Sequence, residues 1–187
     1  MLMSNINYKH HFMIAMPTLQ GEFFSKAVIY IYEHSAKEGA VGFAINKPLS
    51  ATLDNVMDHL KIRTINKKLA DTPVFSGGPV GPDQGFIIHD RMSAAQNQDD
   101  QDISISTSRD MLCDIAKGAG PEHFIITLGY AGWSPGQLEA EILRNDWLIT
   151  KFEKKILFDT PISERWKTAG KLLGIDIGTL SDQIGHA

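Results

Sequence analysis

Ala27-Val28-Ile29-Tyr30-Ile31-Tyr32, the polar link Glu33-His34, and then Gly39-Ala40-Val41-Gly42-Phe43-Ala44-Ile45 are the residues that decide the fold class. β-Branched and aromatic side chains fit a pleated surface, so both runs read as strands. A short turn with Gly39 near its end separates them, which makes a hairpin. Upstream, Phe12-Met13-Ile14-Ala15-Met16 is a short apolar run closed by Pro17, and reads as a first buried strand. Strands and helices then follow without a regular βαβ alternation. That order favours an α+β fold with a mixed sheet over a doubly wound parallel one.

Downstream of the hairpin, Pro48 forces a break, and Ser50 is placed to cap a helix carrying Leu53, Val56, Met57 and Leu60. Val74-Phe75 and Phe86-Ile87-Ile88 bracket a turn-dense segment, residues 76–85. Residues 93–102 are polar and acidic and read as an exposed connection. Ile103-Ser104-Ile105-Ser106 alternates like a half-buried strand, and a helix around Met111, Leu112 and Ile115 should stop at Gly118. Residues 124–128 form a strand, and Leu138, Ile142, Leu143 and Trp147 mark the next helix. Lys155-Ile156-Leu157-Phe158 reads as a last strand. Thr160-Pro161 opens a terminal helix with Trp166, Ala169 and Leu173 inward and Gly174 as its stop. No stretch reads as a linker, so residues 1–187 are expected to form a single domain.

Composition is that of an ordinary globular protein, 43% hydrophobic and 21% charged, with a net charge of −4. A phosphate-neutralising protein needs clustered Lys and Arg. Lys61, Arg63, Lys67 and Lys68 are the nearest approach, and read as a solvated helix end or loop. The charge therefore argues against nucleic acid as a partner. A lone cysteine, Cys113, suits a reducing compartment and reads as a buried helical residue. No signal peptide and no membrane span is visible, so a cytoplasmic location is expected.

Three motifs invite chemistry. Gly132-Trp133-Ser134-Pro135-Gly136 matches G-x-S-x-G between a strand and a helix. A nucleophile elbow needs the backbone N–H after the serine for the oxyanion, and Pro135 has none. A helix start explains every position: Ser134 as N-cap, Pro135 at N1 and Gln137 completing a capping box. Residues 77–85 are rich in Gly and Pro but match no phosphate-loop pattern. They read as tight turns that let another backbone or a ligand approach closely, hence a possible pocket wall. Among seven histidines, none falls in a zinc-binding spacing, and no cofactor or metal site is expected. His34 and His89 each end a strand beside an acid, and could converge.

Several segments together make the chain resemble the YqgE/AlgH family of bacterial proteins. They include His11-Phe12-Met13-Ile14-Ala15-Met16-Pro17, the run from Val28 to His34, Gly39-Ala40-Val41-Gly42, Ile45-Asn46-Lys47-Pro48-Leu49 and Gly77-Gly78-Pro79-Val80. Gly85-Phe86 with His89, Gly129-Tyr130-Ala131-Gly132-Trp133, Gly136-Gln137-Leu138-Glu139 and Arg165-Trp166 continue the match in order along nearly the whole chain. The resemblance implies an α+β fold in which a small closed barrel and a bifurcated sheet are surrounded by helices. It also implies a family often labelled transcriptional regulators, with no established molecular activity or cofactor.

Polar and glycine-rich positions gather at strand ends, where sites tend to form. The leading expectation is a non-catalytic binding or regulatory protein, recognising a small molecule or protein through Glu33, His34, Asn46, Lys47, Pro48, Gly77, Gly78, His89, Trp133 and Gln137. Transcription control by direct or indirect DNA contact is the family-label alternative. A hydrolase using the His34/His89 region is the other.

Overall fold

The computed structural model describes residues 6–64, 66–90 and 103–184. The acidic stretch 93–102 and His186 lie outside the described residues. Among the described residues, nine strands form one mixed sheet. The central hairpin is present: β2 (Val28–Ser35) pairs antiparallel with β3 (Gly39–Ala44), with a bulge between Ile31 and Glu33. β1 (His11–Ala15) lies antiparallel to β2, Met13 opposite Ile29, and β9 (Trp147–Lys151) covers the outer side of β1.

The sheet forks at β8 (Phe124–Trp133). Its C-terminal part pairs antiparallel with β3, Gly42 opposite Ala131. Its N-terminal part pairs parallel with β5 (Pro73–Ser76) on one side and antiparallel with β6 (Val80–Asp90) on the other. β4 (Pro48–Thr52) continues beyond β5, and β7 (Ile103–Ser106) beyond β6. Closely approaching backbones make the fork possible. Gly77 donates to Leu128 O and accepts from Ala44 N, each at 2.8 Å, so one residue bridges β3 and β8. A Cβ on Gly77 would sit 2.2 Å from Gly129 O, and one on Gly78 would sit 2.0 Å from the Tyr130 carbonyl carbon. The glycines flagged as turn or pocket wall at 77 and 78 thus admit another backbone.

Among the described residues the sheet does not close, so the closed barrel implied by the resemblance is not supported. The strand path runs β4-β5-β8-β3-β2-β1-β9, and its two end strands do not pair with each other. β4 is a weak edge, aligned with β5 only at Pro48–Phe75 and Thr52–Pro73, and Pro48 has no N–H for a ladder.

Three apolar clusters fill the interior. Phe12, Ile14, Val28, Tyr30, Phe43 and Ile45 face one side of the hairpin sheet, under Ile156, Leu157, Trp166 and Ala169 from the C-terminal helices. Met13, Ala15, Ile29, Ile31 and Ala44 face the other side, with Trp133, Leu138 and Trp147. Burial on both faces explains why these strands read as near-continuous apolar runs. The third cluster packs α1 (Leu53–His59) and α2 (Arg109–Lys117) on β5, β6 and β8 through Leu53, Met57, Ile115, Val74, Ile87 and Ile126. Gly118, at φ 78°, stops α2 as expected. Cys113 is only half-buried against this cluster.

Several expected elements change. Ser50 belongs to β4, and the cap of α1 is Thr52, whose N–H donates to Asn55 Oδ1 at 2.9 Å. The turn-dense segment is strand from Val80 onward, interrupted by a bulge before Gly85. Trp147 begins β9 rather than extending α3 (Gln137–Leu143), because Asn145 at φ 59° turns the chain. Residues 155–158 are helical, within α4 (Lys154–Phe158). α5 (Arg165–Lys171) buries Trp166 and Ala169, but Leu173 lies past its end, 37% exposed, and α6 (Ile177–Ile184) follows the turn at Gly174. No helix among the described residues is long and apolar enough to cross a membrane.

Candidate functional site

The sequence-flagged residues separate into three places. At the C-terminal end of β8, His34 is 8% exposed. Its Nδ1 accepts the Tyr8 N–H at 3.3 Å, so Nε2 carries the proton and donates to Glu139 Oε1 at 2.9 Å. Trp133 and Trp147 both donate their indole N–H to Glu141 Oε2 at 2.9 Å, and Gln137 Nε2 donates to Glu141 Oε1 at 3.0 Å. Glu33 points to solvent beside them. Glu139 and Glu141 therefore pin α3 onto the sheet. Ser134 is no side-chain cap. Gly136, at φ 77° and ψ −9°, follows Pro135 in a type II turn closed by Gln137 N–H to Ser134 O at 3.0 Å. Only the Gln137 half of the expected capping box is made, accepting from Ser134 N.

The second place is the fork. Asn46 Oδ1 accepts from Val28 N and its Nδ2 donates to Lys26 O, both at 2.8 Å, which ties β3 to the start of β2. Lys47 Nζ donates to Ser25 O. Burial first, then neighbouring Lys26, lowers the Lys47 pKa. Gly77 and Gly78 are occupied by the backbone crossing, and Pro48 starts the exposed edge.

His89 occupies the third. It pairs with Phe124 at the start of β8, whereas His34 pairs with Ala40, which faces Trp133 at the strand's end. Nine residue steps at roughly 3.3 Å put the two histidines up to about 30 Å apart along the strand. The structure does not bring them together. His89 Nδ1 contacts the Asp90 carbonyl at 2.7 Å. Next to it, the Asp90 carboxylate is held by His123 Nδ1 at 2.8 Å and Lys154 Nζ at 3.0 Å. Burial alone would raise the Asp90 pKa, but the hydrogen bonds from His123 and Lys154 outweigh it and hold the carboxyl below its ordinary range. Among the described residues, no group of three or more His, Cys, Asp or Glu could hold a metal ion.

An open cavity lies elsewhere, over the forked half of the sheet. A groove of about 480 Å³ runs between α1 and the start of α2, within the 300–1,000 Å³ typical of small-molecule clefts. Ile126 and Leu128 of β8 alternate onto its floor beside Ile87 of β6, while the Phe86 ring turns to the other face against Phe43 and Tyr130. Val56 and Leu60 on one wall and Leu112 on the other leave part of their apolar surface uncovered. The rim is polar: His59, Asp83, Thr107, Ser108 and Arg109. Arg109 makes no ion pair within the described residues, and Ser108 Oγ caps α2 by accepting from Asp110 N at 3.1 Å. Of the segment flagged as a pocket wall, Pro82, Asp83 and Gly85 line this groove. The remaining lining came with no sequence signal, since aliphatic residues on a helix stripe read as core.

Comparison with known proteins gives a consistent picture. A sequence model described as AlgH-like matches residues 12–178. A UPF0301 protein of Coxiella burnetii is 50% identical over 187 residues, covering all of both chains. A UPF0301 protein of Pseudoalteromonas translucida is 45% identical over 182 residues, covering 96% of this chain and 98% of its own. The solution structure of the AlgH protein from Pseudomonas aeruginosa superimposes with a TM-score of 0.76 at 39% identity, over 100% of both chains. A Corynebacterium diphtheriae crystal structure, 19% identical with a TM-score of 0.73 over 96% and 94% of the two chains, shares the fold.

Proposed function

This chain belongs to the AlgH-like family, and from that premise we propose that it is a non-catalytic binding protein whose ligand is a small amphipathic molecule held in the groove between α1 and α2. One observation carries the reading: a cleft of about 480 Å³ with a floor of Ile87, Ile126 and Leu128, partly uncovered walls at Val56, Leu60 and Leu112, and a rim of hydrogen-bonding groups. Apolar surface left open on the walls of a cleft gains free energy when a ligand displaces water, and a few polar groups at the rim fix its orientation.

The polar residues singled out in the sequence support this reading by what they do instead. His34, Asn46, Trp133 and Gln137 each spend their hydrogen-bonding capacity on the fold, joining the N-terminal segment, β2 or α3 to the sheet. They frame the protein rather than face a ligand. Ser134, whose side chain makes no cap bond, is exposed on a turn with Pro135 where an oxyanion donor would stand.

The test is a fragment screen by ligand-observed NMR on the wild type and on Leu112→Trp, which fills the groove from its α2 wall. Aromatic fragments bearing one polar group should bind the wild type and lose binding in the variant, with its melting temperature preserved. Fragments that bind both proteins equally would refute the assignment.

A further inference from the structure

Arg165, the first residue of α5, is 4% exposed, yet no carboxylate among the described residues pairs with it. Its Nε donates to Thr160 O at 3.0 Å, its Nη1 donates to Ile45 O, and its guanidinium lies 5.4 Å from the centroid of the Phe75 ring. Carbonyl dipoles and an aromatic face solvate the cation without cancelling its charge. Burial pulls the Arg165 pKa down to about 10, which leaves it charged near neutrality.

Two lysines share this knot of chain. Lys47 stands two residues beyond the carbonyl that Arg165 grips, and its Nζ donates to Ser25 O. Lys26 follows Ser25, at φ 54°, and its Nζ lies 5.7 Å from the centroid of Trp166, the neighbour of Arg165. Asn46 laces the segments together through Lys26 O. The Lys47 ammonium is partly desolvated and feels Lys26, so the like charges act on one another. None of the three cations has a carboxylate partner among the described residues, in a chain with 22 Asp and Glu against 18 Lys and Arg.

Lys47 is half-buried and Arg165 buried, while Lys26 stays at the surface; like charge near such desolvated groups raises the energy of the empty arrangement, and an anion lowers it. A carboxylate would cancel one charge, whereas a phosphate brings roughly two at neutral pH and three acceptor oxygens. We propose that Lys26, Lys47 and Arg165 form an oxyanion site for a phosphate group, Lys26 and Lys47 contacting its oxygens and Arg165 contributing charge from behind. This site is independent of the groove, which lies against α1 and α2.

The experiment is an amide-shift titration of the isotope-labelled full chain with inorganic phosphate, phenyl phosphate or acetate, sodium chloride keeping the ionic strength constant. Saturable shifts at Ser25, Lys26 and Lys47 with inorganic phosphate are expected, about tenfold weaker binding in Lys26→Met and Lys47→Met, and weaker binding of acetate. Both lysine variants change surface-reaching side chains and keep Arg165, so they leave its buried hydrogen bonds in place. Tighter binding of phenyl phosphate than of phosphate would identify the source as a phosphorylated small molecule; the reverse order would identify the free anion. Shifts that never saturate, that acetate matches at equal concentration, or that persist unchanged in both variants would overturn the proposal.

Discussion

Replacing Glu141 with alanine tests whether the α3 end is a structural clasp. Glu141 Oε2 accepts the indole N–H groups of Trp133 and Trp147, each at 2.9 Å, and Oε1 accepts from Gln137. The two tryptophans are 5% and 3% exposed. A buried donor left without its partner costs about 1–3 kcal/mol. Two such donors, with some water reaching the half-buried position, give an expected loss of about 2–4 kcal/mol. For a domain of this size that lowers the melting temperature by about 4–16 °C. Glu141→Gln keeps one carbonyl oxygen for the indoles and should lose about 1 kcal/mol. Calorimetry and urea unfolding followed by tryptophan fluorescence measure both. A loss below about 1 kcal/mol in Glu141→Ala, or equal losses in the two variants, would refute the clasp.

Other perturbations separate backbone from side-chain roles. Gly78→Ala forces a Cβ to within 2.0 Å of the Tyr130 carbonyl carbon, so the variant should fail to accumulate as folded protein in expression and circular dichroism. Ser134→Ala removes a side chain that makes no cap bond, and stability should stay within about 0.5 kcal/mol by urea titration. Gly136→Ala, at φ 77°, should lose about 1 kcal/mol in the same assay. Burial would raise the folded pKa of Asp90, but hydrogen bonds from His123 and Lys154 overcome this and lower it from the ordinary carboxylate value. Its contribution is therefore present above its unfolded pKa and is lost as pH falls through the lower folded value. Asp90→Asn should flatten this acid limb of the stability curve, measured by melting temperature between neutrality and the acid limit of folding.

The hairpin was legible because Val28 to Tyr32 and Ala40 to Ile45 are buried on both faces, which leaves unbroken apolar runs. α2 was legible from its stripe and from Gly118. Short elements were not. Ile156 and Leu157 are buried, and a five-residue helix shows no period that tells it from a strand. Trp147 falls one turn beyond Leu143 and looks helical until Asn145 takes a left-handed conformation. Pro48–Thr52 lacks a strand-like pattern because it is an edge with Pro48, Leu49 and Ser50 exposed. Strand ends were a reasonable place to look for a site, but sequence does not say which ends meet; β8 carries His34 and His89 to opposite tips. The groove was nearly silent, since it is assembled from separate stretches whose aliphatic residues differ from core only in being partly uncovered.

Mapping amide shifts with 8-anilinonaphthalene-1-sulfonate, an apolar naphthalene bearing an anilino ring and one anionic group, tests the groove. Saturable shifts are expected, concentrated at Val56, Leu60, Ile87, Arg109, Leu112 and Leu128 and abolished in Leu112→Trp. Shifts concentrated instead around His34, Asn46 and Trp133, or unaffected by filling the groove, would contradict binding there.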